Sequence, residues 1–154
     1  MKTILTIFML TEVFLNFGFF NDDLQRMMET DREFSRMSEE KGTSEAFVFY
    51  ADEKVILSGE NKLPIIGIEE LKNIFNRPKN PNATLTWEPL KGEMSGSGEL
   101  GYTFGRWQIK SKTESGADTL TNGVYMTVWK KQADGSWKYV LDGGHITPEK
   151  VVME

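Results

Sequence analysis

The sequence contains no cysteine and only one histidine, His145, among its 154 residues. Without thiols the chain can form no disulfide bond, offers no thiolate ligand for a metal and has no cysteine nucleophile. A single histidine without a cluster of carboxylates around it does not make a metal-binding pattern. We therefore expect neither a bound metal nor another cofactor.

Positive charge is also scarce. The chain carries 18 Lys and Arg residues against 23 Asp and Glu residues, which gives a net charge of -5 and a pI near 5.1. The lysines are scattered along the chain, so no segment forms the basic patch that binding to phosphate backbones requires. We expect no nucleic-acid partner.

The apolar run at the N-terminus is too short to span a membrane. It begins after Lys2, covers residues 3–10 and resumes at 13–15, and Glu12 interrupts it. A span needs about 20 apolar residues, whereas a charged start and a short apolar stretch are typical of a secretory signal peptide. The sequence predicts a signal peptide over residues 1–20, a periplasmic or secreted protein, and no stable membrane span after processing. The alternative is an amphipathic helix that stays attached.

After residue 20 the apolar pattern becomes helical. Apolar residues recur at steps of three and four residues: Leu24, Met27, Met28, Phe34 and Met37. This spacing predicts a long first helix that ends near Gly42, and two shorter helices follow in the first half of the chain. Because a chain of this length builds one hydrophobic core, we expect a single domain over residues 21–145 and a C-terminal tail over 146–154.

In the second half of the chain the period changes to two, which predicts β-strands. A strand around Leu85 and Trp87 is expected to end at Pro89. A change of parity in the next strand predicts a bulge near Gly105–Arg106. The last two strands are expected to meet at a tight hairpin around Asp134–Gly135.

Helices followed by an antiparallel meander indicate an α+β fold rather than a parallel sheet. A strongly bent sheet of this length would pack its concave face on the long first helix and leave one end open. The sequence thus predicts a cone-shaped antiparallel sheet wrapped around the N-terminal helix, with an apolar pocket at its open end.

Large aromatic side chains with a polar atom are the candidates for the pocket wall. Phenol and indole groups can surround an apolar ligand and direct a few hydrogen bonds to it. The candidates are Tyr50, Trp87, Tyr102, Trp107, Tyr125 and Trp129. Taken singly, each could equally be an ordinary core or sheet-packing residue, although a cone-shaped sheet predicts that two or three of them face the pocket.

Two titratable residues are candidates for acid–base catalysis. Asp31 lies on the same side of the predicted first helix as the apolar residues, where burial would raise its pKa. The alternative is a carboxylate paired with Arg32, Arg106 or a backbone amide. His145 follows Asp142 after the last predicted strand, and an imidazole near neutrality can act as a base unless it lies on a solvated tail.

The order of the elements and several short sequences resemble the nuclear transport factor two-like superfamily. The matching sequences are Asp31–Phe34, Glu45–Phe47, Tyr50–Asp52, Gly67–Leu71, Gly98–Gly105, Trp129–Gln132 and Asp134–Lys138. The superfamily includes ketosteroid isomerases and SnoaL-type polyketide cyclases, and this chain is most similar to a bacterial ketosteroid-isomerase-like branch with no assigned activity. The resemblance implies a cystatin-like α+β barrel with a ligand pocket, but one fold hosts many functions.

Two departures from the superfamily limit the chemistry that the resemblance implies. In ketosteroid isomerases a catalytic aspartate lies eight residues after the tyrosine of the Tyr-Ala-Asp stretch, and that position is Ser58 in this chain. A serine cannot shuttle a proton between carbons as a carboxylate does, so steroid isomerase activity is not implied. The His-plus-Asp arrangement of the scytalone-dehydratase-like members is not evident either.

The sequence therefore favours an exported domain that binds an unknown small hydrophobic molecule, with no assigned catalysis. One alternative is a lyase or isomerase that acts on a small hydrophobic substrate, with Asp31 or His145 as base and Tyr102 as hydrogen-bond donor. Another is a protein–protein assembly module. A homodimer through the outer sheet face is expected, because Val124, Met126 and Val128 alternate opposite the presumed inner face.

Overall fold

The computed structural model describes residues 22–59, 62–77, 82–113 and 115–148, together with the backbone of the N-terminal helix from Lys2. The predicted signal peptide, and the predicted tail beyond residue 148, lie outside the residues whose side chains are described. The helices are α1 (Lys2–Lys41), α2 (Thr43–Tyr50) and α3 (Ile68–Phe75). The strands are β1 (Ala51–Ser58), β2 (Ile65–Ile66), β3 (Thr84–Met94), β4 (Leu100–Lys112), β5 (Asp118–Lys131) and β6 (Trp137–Ile146). Within the described part of the chain, no helix combines the length and apolar character that crossing a membrane requires.

The predicted long first helix is confirmed by α1. Its buried residues recur at steps of three and four: Met27, Met28, Asp31, Phe34, Ser35 and Ser38. The helix ends before Gly42, whose φ of 93° is a conformation that glycine adopts without strain, and α2 starts immediately afterwards. The buried stripe therefore sets which side of α1 meets the sheet.

The predicted α+β cone is confirmed, but the sheet is mixed rather than wholly antiparallel. Its six strands lie in the order β2-β1-β6-β5-β4-β3. The β3 to β6 meander is antiparallel as expected, whereas β1 pairs with β6 in parallel, with Ile56 opposite Leu141. Residues 59–136, about half of the chain, separate β1 from β6, so no hairpin fixes their relative direction.

The expectation that a strand ends at Pro89 is wrong, because β3 continues through it to Met94. The strand lies at the edge of the sheet, where the missing N–H of proline costs no ladder hydrogen bond. Pro89 pairs with Gly105 and Lys91 with Phe104, so the extra residue sits on β3. The predicted bulge thus lies opposite Gly105 and not within β4.

The face of the sheet that packs against α1 is called the inner face, and the opposite one the outer face. In β4 the inner positions are odd-numbered throughout, and Gly101, Thr103 and Gly105 are buried. A Cβ atom on Gly101 would lie 2.5 Å from Sδ of Met27 and 2.8 Å from the backbone oxygen of Glu93, so the close packing of α1 and β3 favours glycine there. Tyr102 and Phe104 consequently point to the outer face.

A second bulge, in β6, changes which side chains reach the inner face. Tyr139 pairs with Trp129 but Leu141 pairs with Val128, so one extra residue interrupts the alternation. As a result Leu141 lies on the outer face, where it is 37% exposed, and Asp142 turns inward beside Thr127. Simple alternation along the sequence would have put the carboxyl group of Asp142 outside.

The core is centred on the ring of Phe34. Its ring centroid lies 4.8 Å from that of Phe47, 4.6 Å from that of Trp87 and 5.5 Å from that of Tyr139, to which it is nearly parallel. Trp129 is fully buried in the same cluster. Aromatic pairs from α1, α2 and three strands therefore fill the closed end of the cone.

Candidate functional site

A cavity of about 220 Å³ lies between the inner face of the sheet and the first two helices. It is lined by Phe34, Phe47, Ser58, Gly59, Leu85, Trp87, Trp107, Ile109, Tyr125, Asp142, Gly143 and Gly144. Ser58, Gly59 and Gly144 are solvent-exposed and mark its mouth, whereas Phe34 and Tyr125 are buried at its inner end. The wall is thus mainly aromatic and aliphatic, with a single carboxyl group.

Asp31 is fully buried behind this wall. Nε1 of Trp87 donates a hydrogen bond to its Oδ1 at 2.7 Å, and the hydroxyl group of Tyr125 donates one to its Oδ2 at 2.8 Å. Thr103 bonds to the same carboxyl group and accepts a hydrogen bond of 3.0 Å from Nε1 of Trp129. Three neutral donors therefore hold a carboxyl group that water does not reach.

Burial raises the pKa of Asp31 above its usual value, and the hydrogen bonds from Thr103, Trp87 and Tyr125 offset part of that rise. The carboxyl group makes no ion pair with Arg32 or Arg106, the partners considered from the sequence. The pKa of the Tyr125 hydroxyl is also raised, first by burial and then by the adjacent carboxyl group, so this phenol stays a hydrogen-bond donor.

Asp142 supplies the carboxyl group of the cavity wall. Oγ1 of Thr127 donates a hydrogen bond of 2.5 Å to Oδ1 of Asp142. No described residue donates a hydrogen bond to its second oxygen, Oδ2. The pKa of Asp142 is raised to about 7, chiefly by burial; the hydrogen bond from Thr127 offsets part of the rise, and the nearby carboxyl group of Asp31 adds to it. Near neutral pH this group can therefore either accept or donate a proton.

The six predicted aromatic residues divide into three sets. Trp87, Trp107 and Tyr125 line the cavity. Tyr50 and Trp129 belong to the buried aromatic core and do not line it. Tyr102 lies on the outer face, because the bulge that would have turned it inward is on β3 instead.

The structure does not bring the two predicted catalytic residues together. Asp31 is sealed behind Trp87 and Tyr125, so it does not line the cavity. His145 is exposed and pairs with Val124 at an outer-face position of β6. Ser58, at the position of the ketosteroid isomerase base, lies at the mouth.

The residue that sequence analysis missed as a site residue is Asp142, which was considered only as a partner for His145. Its inward orientation depends on the β6 bulge between Tyr139 and Leu141, and no residue there marks a bulge in advance. The one available signal was the pair Gly143–Gly144 directly after it, since glycines inside a strand often accompany irregular pairing or close approach.

Metal chemistry has no support in the described residues, where no group of three or more His, Asp or Glu side chains could hold an ion. The expectation of a site without metal or cofactor remains a prediction. The cavity wall combines apolar side chains with the carboxyl group of Asp142, whose pKa is about 7, and the phenol of Tyr125.

Comparison with solved structures gives the same architecture. A ketosteroid isomerase-like protein from Erwinia carotovora atroseptica superposes with a TM-score of 0.68 at 14% identity, over 84% of this chain and 100% of that one. A nuclear transport factor two-like protein with a cystatin-like fold from Novosphingobium aromaticivorans gives 0.67 at 9% identity, over 82% of each chain. The calcium/calmodulin-dependent protein kinase II hub from S. rosetta gives 0.65 at 19% identity, over 80% of this chain and 96% of that one.

This chain has the nuclear transport factor two-like fold. No protein-family model matches its sequence, and no curated protein matches it either. At these identities the nuclear transport factor two-like fold is what the likeness establishes, so the function has to be argued from the cavity itself.

The raised pKa of Asp142 predicts how stability depends on pH. Its pKa is about 7 in the folded state, against an ordinary value of 3.8, so the folded state binds the proton more tightly. The contribution of Asp142 to the free energy of unfolding should therefore fall by up to about 4 kcal/mol as the pH rises from about 4 to about 7, and level off above that. Asp142→Asn removes this contribution, so its stability should fall less over that range than the stability of the unaltered protein, as measured by urea unfolding.

The matched control is Asp118→Asn, because Asp118 is exposed and pairs with Lys112 at the end of the sheet. Its pH profile should run parallel to that of the unaltered protein. Identical slopes for Asp142→Asn and the unaltered protein would contradict the assignment of a buried, destabilised carboxylate at position 142.

Proposed function

We propose that this protein binds a small, mostly apolar molecule in the cavity lined by Trp87, Trp107, Tyr125 and Asp142. The observation that carries the proposal is an aromatic cavity with one unshared carboxyl oxygen in its wall. Ligand pockets in proteins have this composition: apolar walls with a few polar groups that fix orientation. A cavity of about 150 Å³ holds benzene, so 220 Å³ suits a ligand somewhat larger than a single ring.

The proposal includes export. The charged start and short apolar run at residues 1–20 support a signal peptide, and with it a periplasmic or secreted protein. An exported binding domain would meet its ligand outside the cytoplasm.

Blocking the cavity tests the binding function. Ile109 lies in the wall on β4, and Ile109→Trp would fill much of a 220 Å³ space. Indole, which fits the size, is expected to bind the unaltered protein and to lose at least about tenfold in affinity to the variant, as followed by NMR shifts of the tryptophan indole protons.

Leu120→Trp is the control, since Leu120 is 57% exposed on the neighbouring strand β5 and does not line the cavity. It should bind indole as the unaltered protein does. Equal indole affinity in the Ile109→Trp variant, with the fold intact, would place the binding elsewhere and refute the proposal.

A lyase or isomerase is the second candidate function, and one observation favours it. The pKa of Asp142 is raised to about 7, and a carboxylate of that basicity in an apolar cavity is suited to removing a proton from carbon. In this version of the proposal Asp142 takes the role expected of Asp31 or His145.

Nitrobenzisoxazole is a suitable probe for such a base. Removal of its ring C–H proton by the Asp142 carboxylate forms a nitrile while the N–O bond breaks, and the product is a coloured phenolate. The rate should rise with pH through about 7 and fall at least about a hundredfold in Asp142→Asn, with Asp118→Asn unaffected. A rate equal to that of the Asp142→Asn variant would exclude proton abstraction by Asp142.

We also propose that two copies of the chain associate through the outer face. Apolar side chains on adjacent strands form a patch there, and Phe104 pairs with Met126 while Tyr102 pairs with Val128. Met126 is 48% exposed in the single chain, and a patch of this kind on an open sheet suits a twofold, self-complementary interface. The hub of the S. rosetta kinase supports an assembly role for the same fold.

A lysine at the centre of this patch should separate the copies, because a charge buried between two apolar faces has no partner. We expect Met126→Lys to be monomeric at micromolar concentration, and the unaltered protein to be dimeric, in sedimentation velocity experiments. Leu63→Lys, at a loop position that is 91% exposed, should remain dimeric. A monomeric unaltered protein would rule out the interface.

A further inference from the structure

We propose that the molecule taken by this cavity is a small organic cation, an amine or quaternary ammonium that carries an apolar group. The inference rests on the proposed binding function and names its ligand class. It follows from three features of the wall: the charges it holds, the charges it lacks and the aromatic rings that complete it.

The charged groups that the described residues place in the cavity wall, or directly behind it, are carboxyl groups. Asp142 lies in the wall with Oδ2 unshared, and Asp31 lies one layer behind it, bonded to the wall residues Trp87 and Tyr125. The other described groups that interact with Asp142 are neutral hydroxyls: Thr127 donates a hydrogen bond to it, and the phenols of Tyr125 and Tyr139 lie close enough to feel its charge. A ligand in the cavity therefore meets negative or neutral groups.

No compensating positive charge belongs to the wall. Among the described residues that line the cavity, none is Lys, Arg or His. Arg106, next to Trp107 in the sequence, forms an ion pair of 2.7 Å with Glu88 on the outer face. Arg32, next to Asp31, forms an ion pair of 3.2 Å with Glu29. An unpaired buried carboxylate is costly, and a bound cation would remove that cost.

Aromatic rings provide the second attraction. Phe34, Trp87, Trp107 and Tyr125 contribute rings to the wall, and such rings attract a desolvated cation most strongly when several surround it. Trp87 and Tyr125 each donate a hydrogen bond to the Asp31 carboxyl group, which makes both rings more electron-rich. A carboxylate and an aromatic cage together are the recognised arrangement for alkylammonium groups.

Two probes of the same shape test the ligand class. Phenyltrimethylammonium and tert-butylbenzene differ only in a charged nitrogen in place of a carbon, and both are somewhat larger than benzene. At about pH 8 we expect the cation to bind at least about tenfold more tightly, as measured by NMR titration. Binding at about pH 6 should release a proton, because a bound cation stabilises the ionised form of Asp142, and calorimetry in two buffers measures this release.

Asp142→Asn should abolish both the preference for the cation and the proton release, while it keeps the affinity for tert-butylbenzene. Asp118→Asn is the control and should leave all three unchanged. Equal or tighter binding of tert-butylbenzene by the unaltered protein would overturn the cation inference and leave the binding function intact. Failure of both probes where indole binds would also overturn it, whereas failure of all three compounds would refute the binding function itself.

Discussion

The buried carboxyl group of Asp31 is the constraint on which the rest of the structure depends. Burying such a group without partners would cost several kcal/mol, so each of its donors has to be in position when the fold closes. Those donors come from β3, β4 and β5, which ties α1 to the three strands that form most of the cavity. Two buried serines of α1 strengthen the link, since Ser35 accepts a hydrogen bond from the backbone of Trp87 and Ser38 donates one to that of Leu85.

The sequence carried enough information for the architecture because local periodicity and burial agree over most of the chain. The apolar stripe of α1, the change to a period of two and the Asp134–Gly135 hairpin each describe short-range geometry that neighbouring residues determine. The prediction that a strand ends at Pro89 failed for a physical reason. A proline is tolerated within β3 because that strand lies at the edge of the sheet, and the order of the strands is set by tertiary structure.

The site was harder to predict than the fold because side-chain orientation in a strand depends on parity, and one bulge reverses it. The bulge on β3 leaves Tyr102 outside, and the bulge on β6 turns Asp142 inside. A tyrosine or an aspartate can occupy the same position in a strand without a bulge, so the residue types of Tyr102 and Asp142 do not reveal the bulges. Of the six aromatic residues that size and polar atoms suggested for the wall, Trp87, Trp107 and Tyr125 line the cavity.

Trp87 and Tyr125 each have two roles. The polar atom of each side chain donates a hydrogen bond to Asp31, and the side chain also lines the cavity. Substitution at either position would disturb the attachment of α1 along with the shape of the site. Leu85, Trp107 and Ile109 border the cavity without bonding to Asp31. Evolution of a new ligand preference on this scaffold would therefore proceed through these three positions, while the two that touch Asp31 drift slowly.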